Sequence, residues 1–413
     1  MFLKGIPNKK EVVSWAFFDF ANSSYSLLII SLLFSVYFRD VIVGGGPNAD
    51  LWWGIIVSVS ILLGGLSAPF IGASADAAAR RKPVFVFFVL VAVFGTASLY
   101  FTGPGTVVLA SILFIITNYA FENAIVLYDS FLTVIAKPQH AGTVSGFAWG
   151  LGYLGGALAA ILLLPLYRAG IDAPTVRFAF PLIALFFLVF ALPAFLWVRD
   201  RGVAQAGAFV RHGFRRVMHT LSHVHEYKNV FLFFLAFYLL NDGLVTIFSF
   251  TGIFATTTLG LPLSAVFVLF LIVQAVGFIV TPLAGKVADR FGSKRVLLCA
   301  VAGWVVVTVW MSVVETPAMF YALAVLTGAV VGSSQAVGRS LLSLIVPLGK
   351  STELFGFNAL ASKLSATLGP LVFGGVSAAT GNQRLAVLSL LVFFVLSFIV
   401  FLFVKEERTE EVH

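Results

Sequence analysis

Six residues of this 413-residue chain could do acid–base or ion-pairing chemistry where it is least expected: Asp19, Glu122, Asp129, Asp242, Arg339 and Lys363 all lie inside long apolar runs. An ionisable side chain in hydrocarbon is costly unless paired or hydrated, so each is a functional candidate. A mid-span carboxylate is neutral when desolvated and charged when hydrated, which suits it to carry a proton. Four acids against two bases leave a surplus that a bound proton or cation would offset. Glu122 is the first candidate for proton coupling, with Asp242 and Asp19 as rivals. Fixed pairing, for instance with Lys363, is the competing reading for any one acid.

Neighbouring polar residues fall on the same helical faces. Asn118, Glu122 and Asp129 are separated by 4 and 7 residues and form one stripe. Asp19, Asn22, Ser23 and Ser26 form another, while Asn241, Asp242 and Thr246, and Gln335 with Arg339, extend the set. Such stripes are untenable against lipid and should converge on a polar pathway. Acidic and basic groups together suit a zwitterionic solute, whose two charges need both kinds of partner. Trp15, Trp149 and Tyr153 are candidates for stacking on it, although most aromatic residues must simply face lipid or core.

The elements that carry these residues follow from composition. The chain is 60% hydrophobic and 11% charged, against roughly a quarter charged in average globular proteins. Apolar stretches of about 20 residues recur, each long enough to cross a bilayer. Twelve spans are predicted, at 12–37, 51–74, 83–102, 106–135, 141–167, 177–198, 229–257, 263–285, 295–313, 317–346, 352–379 and 384–404. The fold class is therefore an all-α polytopic membrane protein. Twenty Lys and Arg fall on one side, and four, Arg39, Arg168, Arg177 and Arg384, on the other. The positive-inside rule then places both termini in the cytoplasm. It also accounts for the net charge of +8 without nucleic acid. The one cysteine, Cys299, lies in an apolar run and reads as a buried small hydrophobe.

The chain also repeats itself. Gly72-Ala-Ser-Ala-Asp76, followed by Arg80, Arg81 and Lys82, returns 213 residues later as Gly285-Lys-Val-Ala-Asp289-Arg290, followed by Lys294 and Arg295. Phe18–Ser23 matches Tyr238–Gly243 at offset 220, and Tyr128–Leu132 matches Gly338–Leu342 at offset 210. These drifting offsets describe two parallel six-span halves, 1–198 and 229–413, joined by a linker at 199–228. In the linker Val210, Phe214, Val217, Leu221 and Val224 read as an interfacial amphipathic helix. His219 and His223, four apart, could clasp a metal, but without further ligands the reading is polar histidines on that helix. Asp129 and Arg339 occupy equivalent positions with opposite charges. They either pair across the pseudo-twofold axis or pair within their own halves.

Twelve spans in two parallel halves, with a Gly-x-x-x-Asp and basic loop after spans 2 and 8, resemble the major facilitator superfamily. The second copy keeps Gly285, Asp289, Arg290, Gly292 and Lys294 and departs at Ser293, whereas the first has Ala77 and Ala79 where a base and a glycine are expected. Trp15-Ala-Phe-Phe-Asp-Phe-Ala-Asn-Ser23, Tyr128-Asp-Ser-Phe-Leu132, Val144 to Gly156, Ser334-Gln-Ala-Val-Gly-Arg-Ser340 and Leu368-Gly-Pro370 look like its vacuole-effluxer, autophagy-related branch. The resemblance implies that spans 1, 4, 7 and 10 line a central cavity. It implies efflux of amino acids or similar small solutes, as in fungal vacuoles. It also implies that Gly72, Asp76, Arg80, Arg81 and Gly285, Asp289, Arg290, Lys294 form paired inner-gate latches. Each Asp would face the N-terminus of a helix in the opposite half, near Ala141 and near Ser351.

The expected function is gradient-driven transport of a small polar or zwitterionic solute by alternating access, proton-coupled and outward. A uniporter, a sugar or peptide transporter, and more remotely a receptor or lipid scramblase, are the alternatives. An enzyme is disfavoured, since no His falls in a span and no Ser–His or Cys–His arrangement is evident. The expected partners are the solute, a proton or other coupling ion, and the bilayer. No cofactor or metal is expected, and the protein is expected to be a monomer. Short loops suit a bacterial inner membrane.

Overall fold

The computed structural model describes residues 8–77, 81–135, 141–167, 174–199, 228–345 and 367–406; for some residues within helices, Asp76, Asp289 and Arg339 among them, only the backbone is described. Every regular element among these residues is helical. We number them α1 (Lys9–Ile42), α2 (Pro47–Ala77), α3 (Arg81–Ser98), α4 (Val107–Ile135), α5 (Ala141–Tyr167), α6 (Ala179–Trp197), α7 (Lys228–Thr257), α8 (Leu263–Phe291), α9 (Ser293–Val313), α10 (Pro317–Ile345), α11 (Leu368–Thr380) and α12 (Gln383–Phe403). Eleven helices among the described residues are long and apolar enough to cross a membrane, and α11 is described for 13 residues. The linker, Arg80, Lys363 and the predicted start of span 11 near Ser351 lie outside the described residues.

Most boundaries fall within a few residues of the predicted spans, with an informative exception. The repeated Gly-x-x-x-Asp segments are not loops. α2 continues through Gly72 and Asp76 to Ala77, and α8 continues through Gly285 and Asp289 to Phe291. Ala73, Ala75 and Ala77, and Lys286 and Ala288, are good helix formers, so nothing in either segment stops the helix. The turn after α8 comes only at Gly292, whose φ of +98° is strained for a residue with a Cβ. The equivalent position in the first copy is Ala79, outside the described residues.

Packing repeats between the halves. Within the first, α1 lies on α5 and α6, α4 on α2 and α3, and α3 on α6. Six helices later the same pairs recur: α7 on α11 and α12, α10 on α8 and α9, and α9 on α12. The contacts between halves obey the same symmetry, α2 against α11, α8 against α5, and α1 against α7. This is the arrangement of two pseudo-symmetric six-helix bundles.

Large apolar side chains such as Phe87, Phe94, Phe101 and Val108 are exposed, as expected of helices bathed in hydrocarbon rather than water. Two sequence expectations change here. Trp15 is buried, stacked on Tyr128 with centroids 4.4 Å apart, and its indole Nε1 donates to the Tyr128 carbonyl at 3.0 Å. It belongs to the packing of the first bundle and does not offer a face to a solute. Cys299 is exposed on the outside of α9 rather than buried, because an apolar run that faces lipid looks the same in sequence as one that faces core.

Candidate transport pathway and the closed end

Close approach of the two bundles is built from small residues. A Cβ on Gly54 of α2 would stand 2.4 Å from the Pro370 carbonyl of α11, and one on Gly374 would stand 2.9 Å from the Asp50 carbonyl and the Leu51 Cα. Backbones can approach this closely only where side chains are absent. Between α1 and α7, Gly252 likewise lies against the Ser31 carbonyl. There α1 leaves the regular α-helix, with Ser26–Leu32 and Tyr37–Ile42 wound as π-helical turns, a deformation common at functional sites.

Hydrogen bonds then lock this end. Asp50, fully buried, accepts from Arg39 Nε at 2.7 Å, from Gln383 Nε2 at 2.7 Å and from the Ser377 hydroxyl. Arg39 is also paired with Asp40. Asp50 and Arg39 belong to the first bundle, Ser377 and Gln383 to the second, so one carboxylate joins both. Gln383 Oε1 accepts from Thr258 Oγ1 at 2.6 Å, which ties in the end of α7. Other bonds among the described residues also cross between the bundles: Trp53 Nε1 donates to the Ser249 carbonyl at 2.9 Å, Ser58 Oγ to the Thr367 carbonyl at 2.8 Å, and Gln274 Nε2 of α8 to the Tyr153 carbonyl of α5 at 3.5 Å. In the sequence Arg39 is visible only as one of the few cations on its side, and Asp50 does not stand out. The available signal was an acid at the head of an apolar span, just beyond the turn Gly44-Gly-Gly-Pro47.

The predicted polar stripes separate into distinct groups. Asn118 is buried, donates to Ser60 Oγ at 2.8 Å and accepts from Tyr25 OH at 3.4 Å, so it links α4 to α2 and α1 inside the first bundle. Glu122, one turn on, is half-buried, with its Cβ against Gly64 of α2. On α1 the Asp19 carboxylate accepts from Asn22 Nδ2 at 3.1 Å, and Ser23 donates to the Asp19 carbonyl at 2.8 Å. Gly152 and Gly156 of α5 fit against this stretch, and Gly156 also meets Gln274 of α8 in the other bundle. Asn241 and Gln335 are half-buried and Asp129 is exposed. The Asp129–Arg339 pairing rests on a side chain that is not described.

Asp242 has the most defined setting. It is fully buried on α7, and its Oδ1 accepts from the Gly369 amide at 2.8 Å, in the first turn of α11. Thr246, one turn along, donates to the Asp242 carbonyl at 2.7 Å.

At the opposite end, the described latch residues bond within the second bundle. Lys294 Nζ donates to the Leu402 carbonyl of α12 at 2.8 Å, and Arg290 stacks over Phe291. Glu406 caps α9, accepting from the Ser293 and Lys294 amides at 3.1 and 3.0 Å. This cap is not visible in the sequence, because a C-terminal Glu among charged residues looks like solvated tail. Arg81 heads α3, while Asp76 and Asp289 are placed by backbone alone.

Two bundles of six helices, meeting along α1–α7, α2–α11 and α5–α8, define a transporter of the major facilitator type. Among solved structures, a D-xylose–proton symporter matches with a TM-score of 0.75 at 15% identity, over 97% of this chain and 98% of that one. A point mutant of the nucleoside transporter NupG matches with a TM-score of 0.73 at 13% identity, over 95% and 98%. The family described as "Vacuole effluxer Atg22 like" matches residues 53–412, and the chain belongs to it. Relatives include the uncharacterized MFS-type transporter YxiO of Bacillus subtilis (strain 168), 28% identical over 98% of this chain and 96% of the relative. Autophagy-related protein 22 of Yarrowia lipolytica (strain CLIB 122 / E 150) is 24% identical over 85% and 75%. The protein is thus a multi-pass membrane transporter and not an enzyme.

Proposed function

We propose that the chain exports a small polar or zwitterionic solute, amino-acid-like in its charges, by alternating access driven by protons. The observation that carries this reading is the end closed around Asp50. Its bonds join two bundles that also meet through glycine-lined contacts and a few side-chain-to-carbonyl bonds, so it can come apart as a unit when the bundles rock. By the charge asymmetry of the loops this end faces outward and both termini are cytoplasmic, and the short loops suit a bacterial inner membrane. Asp19, Asn22, Glu122, Asn241, Asp242 and Gln335 supply polar groups to the pathway, and Arg339 and Lys363 supply the cationic partners a carboxylate-bearing solute needs. The family's description as an effluxer supports the direction, and the named proton symporter among its structural neighbours makes proton coupling a natural expectation.

The test is a thermal-shift screen of purified protein against amino acids, dipeptides and sugars, followed by flux of each hit in proteoliposomes under an imposed pH gradient. An amino acid or dipeptide hit whose flux follows the gradient is expected. Flux indifferent to the gradient would sink proton coupling, and hits confined to sugars or nucleosides would replace the solute class.

A further inference from the structure

Asp242 is held in two opposite environments. Its Oδ1 bonds to the Gly369 amide at the N-terminus of α11, where backbone N–H groups and the helix dipole favour an anion. Its Oδ2 is buried and has no hydrogen-bond partner among the described residues, a setting that disfavours one. Close by in the chain from Gly369, the Thr367 hydroxyl is also buried without a partner among the described residues. The fit depends on glycine, since a Cβ at Gly369 would lie 2.0 Å from Thr246 Oγ1 and 2.8 Å from the Asp242 carbonyl.

The helix that Asp242 holds also reaches the other bundle. Ser58 of α2 donates to the Thr367 carbonyl, Gly54 lies against Pro370, and Gly374 and Ser377 meet Asp50. Other groups around Asp242 are Tyr238 one turn back on α7 and, against the neighbouring Gly243, the apolar Phe394 of α12. Of the remaining helices packed on α7, α10 carries Arg339, whose side chain is not described; Lys363 lies outside the described residues.

Building on the reading of proton-driven transport, we propose that Asp242 binds and releases the coupling proton, and that its charge decides whether α11 stays docked. The ionised carboxylate holds the α11 N-terminus through a charge-assisted hydrogen bond, roughly twice as strong as a neutral one. Protonation removes the charge, leaves the weaker bond and frees α11 to move away from α7 and α2. Acid therefore opens the Asp50 end.

The test uses the full-length protein in liposomes with Cys299→Ala, Asn48→Cys and Ala379→Cys, nitroxide labels at the two new cysteines, and pulsed distance measurement across the Asp50 end. Acidification from about pH 8 to about pH 5 should raise the long-distance population about tenfold. Asp242→Asn should show that population at both pH values, and Asp242→Glu should move the midpoint. A parental response in Asp242→Asn would overturn the proposal. So would a response lost in Lys363→Gln or Arg339→Gln but kept in Asp242→Asn, or opening by sodium chloride at alkaline pH with none by acid. Should Asp242→Asn fail to reconstitute, an unmoved midpoint in Asp242→Glu overturns it equally. The readout needs no solute: a parental response in Asp242→Asn beside pH-driven flux removes Asp242's role alone, while gradient-indifferent flux removes the coupling reading itself.

Discussion

At Asp50 one carboxylate takes hydrogen bonds from three side chains on three helices, with no water-exposed surface of its own. Removing one partner of such a buried pair leaves the other charge uncompensated, at a cost of about 3–5 kcal/mol. Arg39→Gln should therefore lower the apparent unfolding temperature in detergent strongly. Arg39→Gln with Asp50→Asn should recover most of the loss, because neither charge is then stranded. A double variant no more stable than the single would count against the pair as the stabilising unit. A Trp15→Phe substitution should leave transport affinity unchanged and cost stability instead, since the indole is occupied by Tyr128. A thermal melt beside a flux measurement separates the two.

Among the elements, α2 and α11 meet where side chains are missing. Gly374→Val would push a branched side chain into the Asp50 and Leu51 backbone, and overpacking of this kind costs about 1–3 kcal/mol. The variant should fold, since the clash exists only with the bundles closed, yet its closed population should fall about tenfold. Maleimide labelling of a cysteine near Trp53, faster in the variant than in the parent, would show it. The junction between α8 and α9 has a different constraint. Gly292→Ala places a Cβ at a φ of +98° and should cost about 1–3 kcal/mol. Glu406→Gln should weaken the adjoining α9 cap by about 1 kcal/mol, read as a lower unfolding temperature.

For the whole molecule, the pseudo-symmetry invites a comparison of the two latches. With Ala77 and Ala79 in place of a base and a glycine, the first copy should be the weaker. Asp76→Asn should then reduce transport less than Asp289→Asn. Liposome flux of the two variants side by side decides, and the reverse order refutes the ranking. If Asp50 marks the outward end, a fluorescent protein fused after His413 should light up in the cytoplasm, while a cysteine at Asn48 should react with an impermeant reagent added outside.

Much of this molecule was legible in the chain. The need to bury backbone polar groups within each span makes a hydrocarbon-crossing segment helical, so apolar length alone sets the number of helices and their approximate limits. The repeat of Gly72–Asp76 at Gly285–Asp289 announced the two halves, because segments of matching chemistry at a fixed remove point to matching topology. Ionisable residues inside spans stood out because hydrocarbon tolerates them so poorly. Sequence could not separate their roles. Asp242 and Glu122 look alike in the chain, yet the first meets a helix N-terminus and the second a half-exposed face, a difference set by helix rotation and by where α11 begins. Nor could it pair Arg39 and Asp50 with Ser377 and Gln383, more than 300 residues away. That contact exists only because α2 and α11 pack through Gly54 and Gly374, and such packing is a property of two surfaces together rather than of either segment.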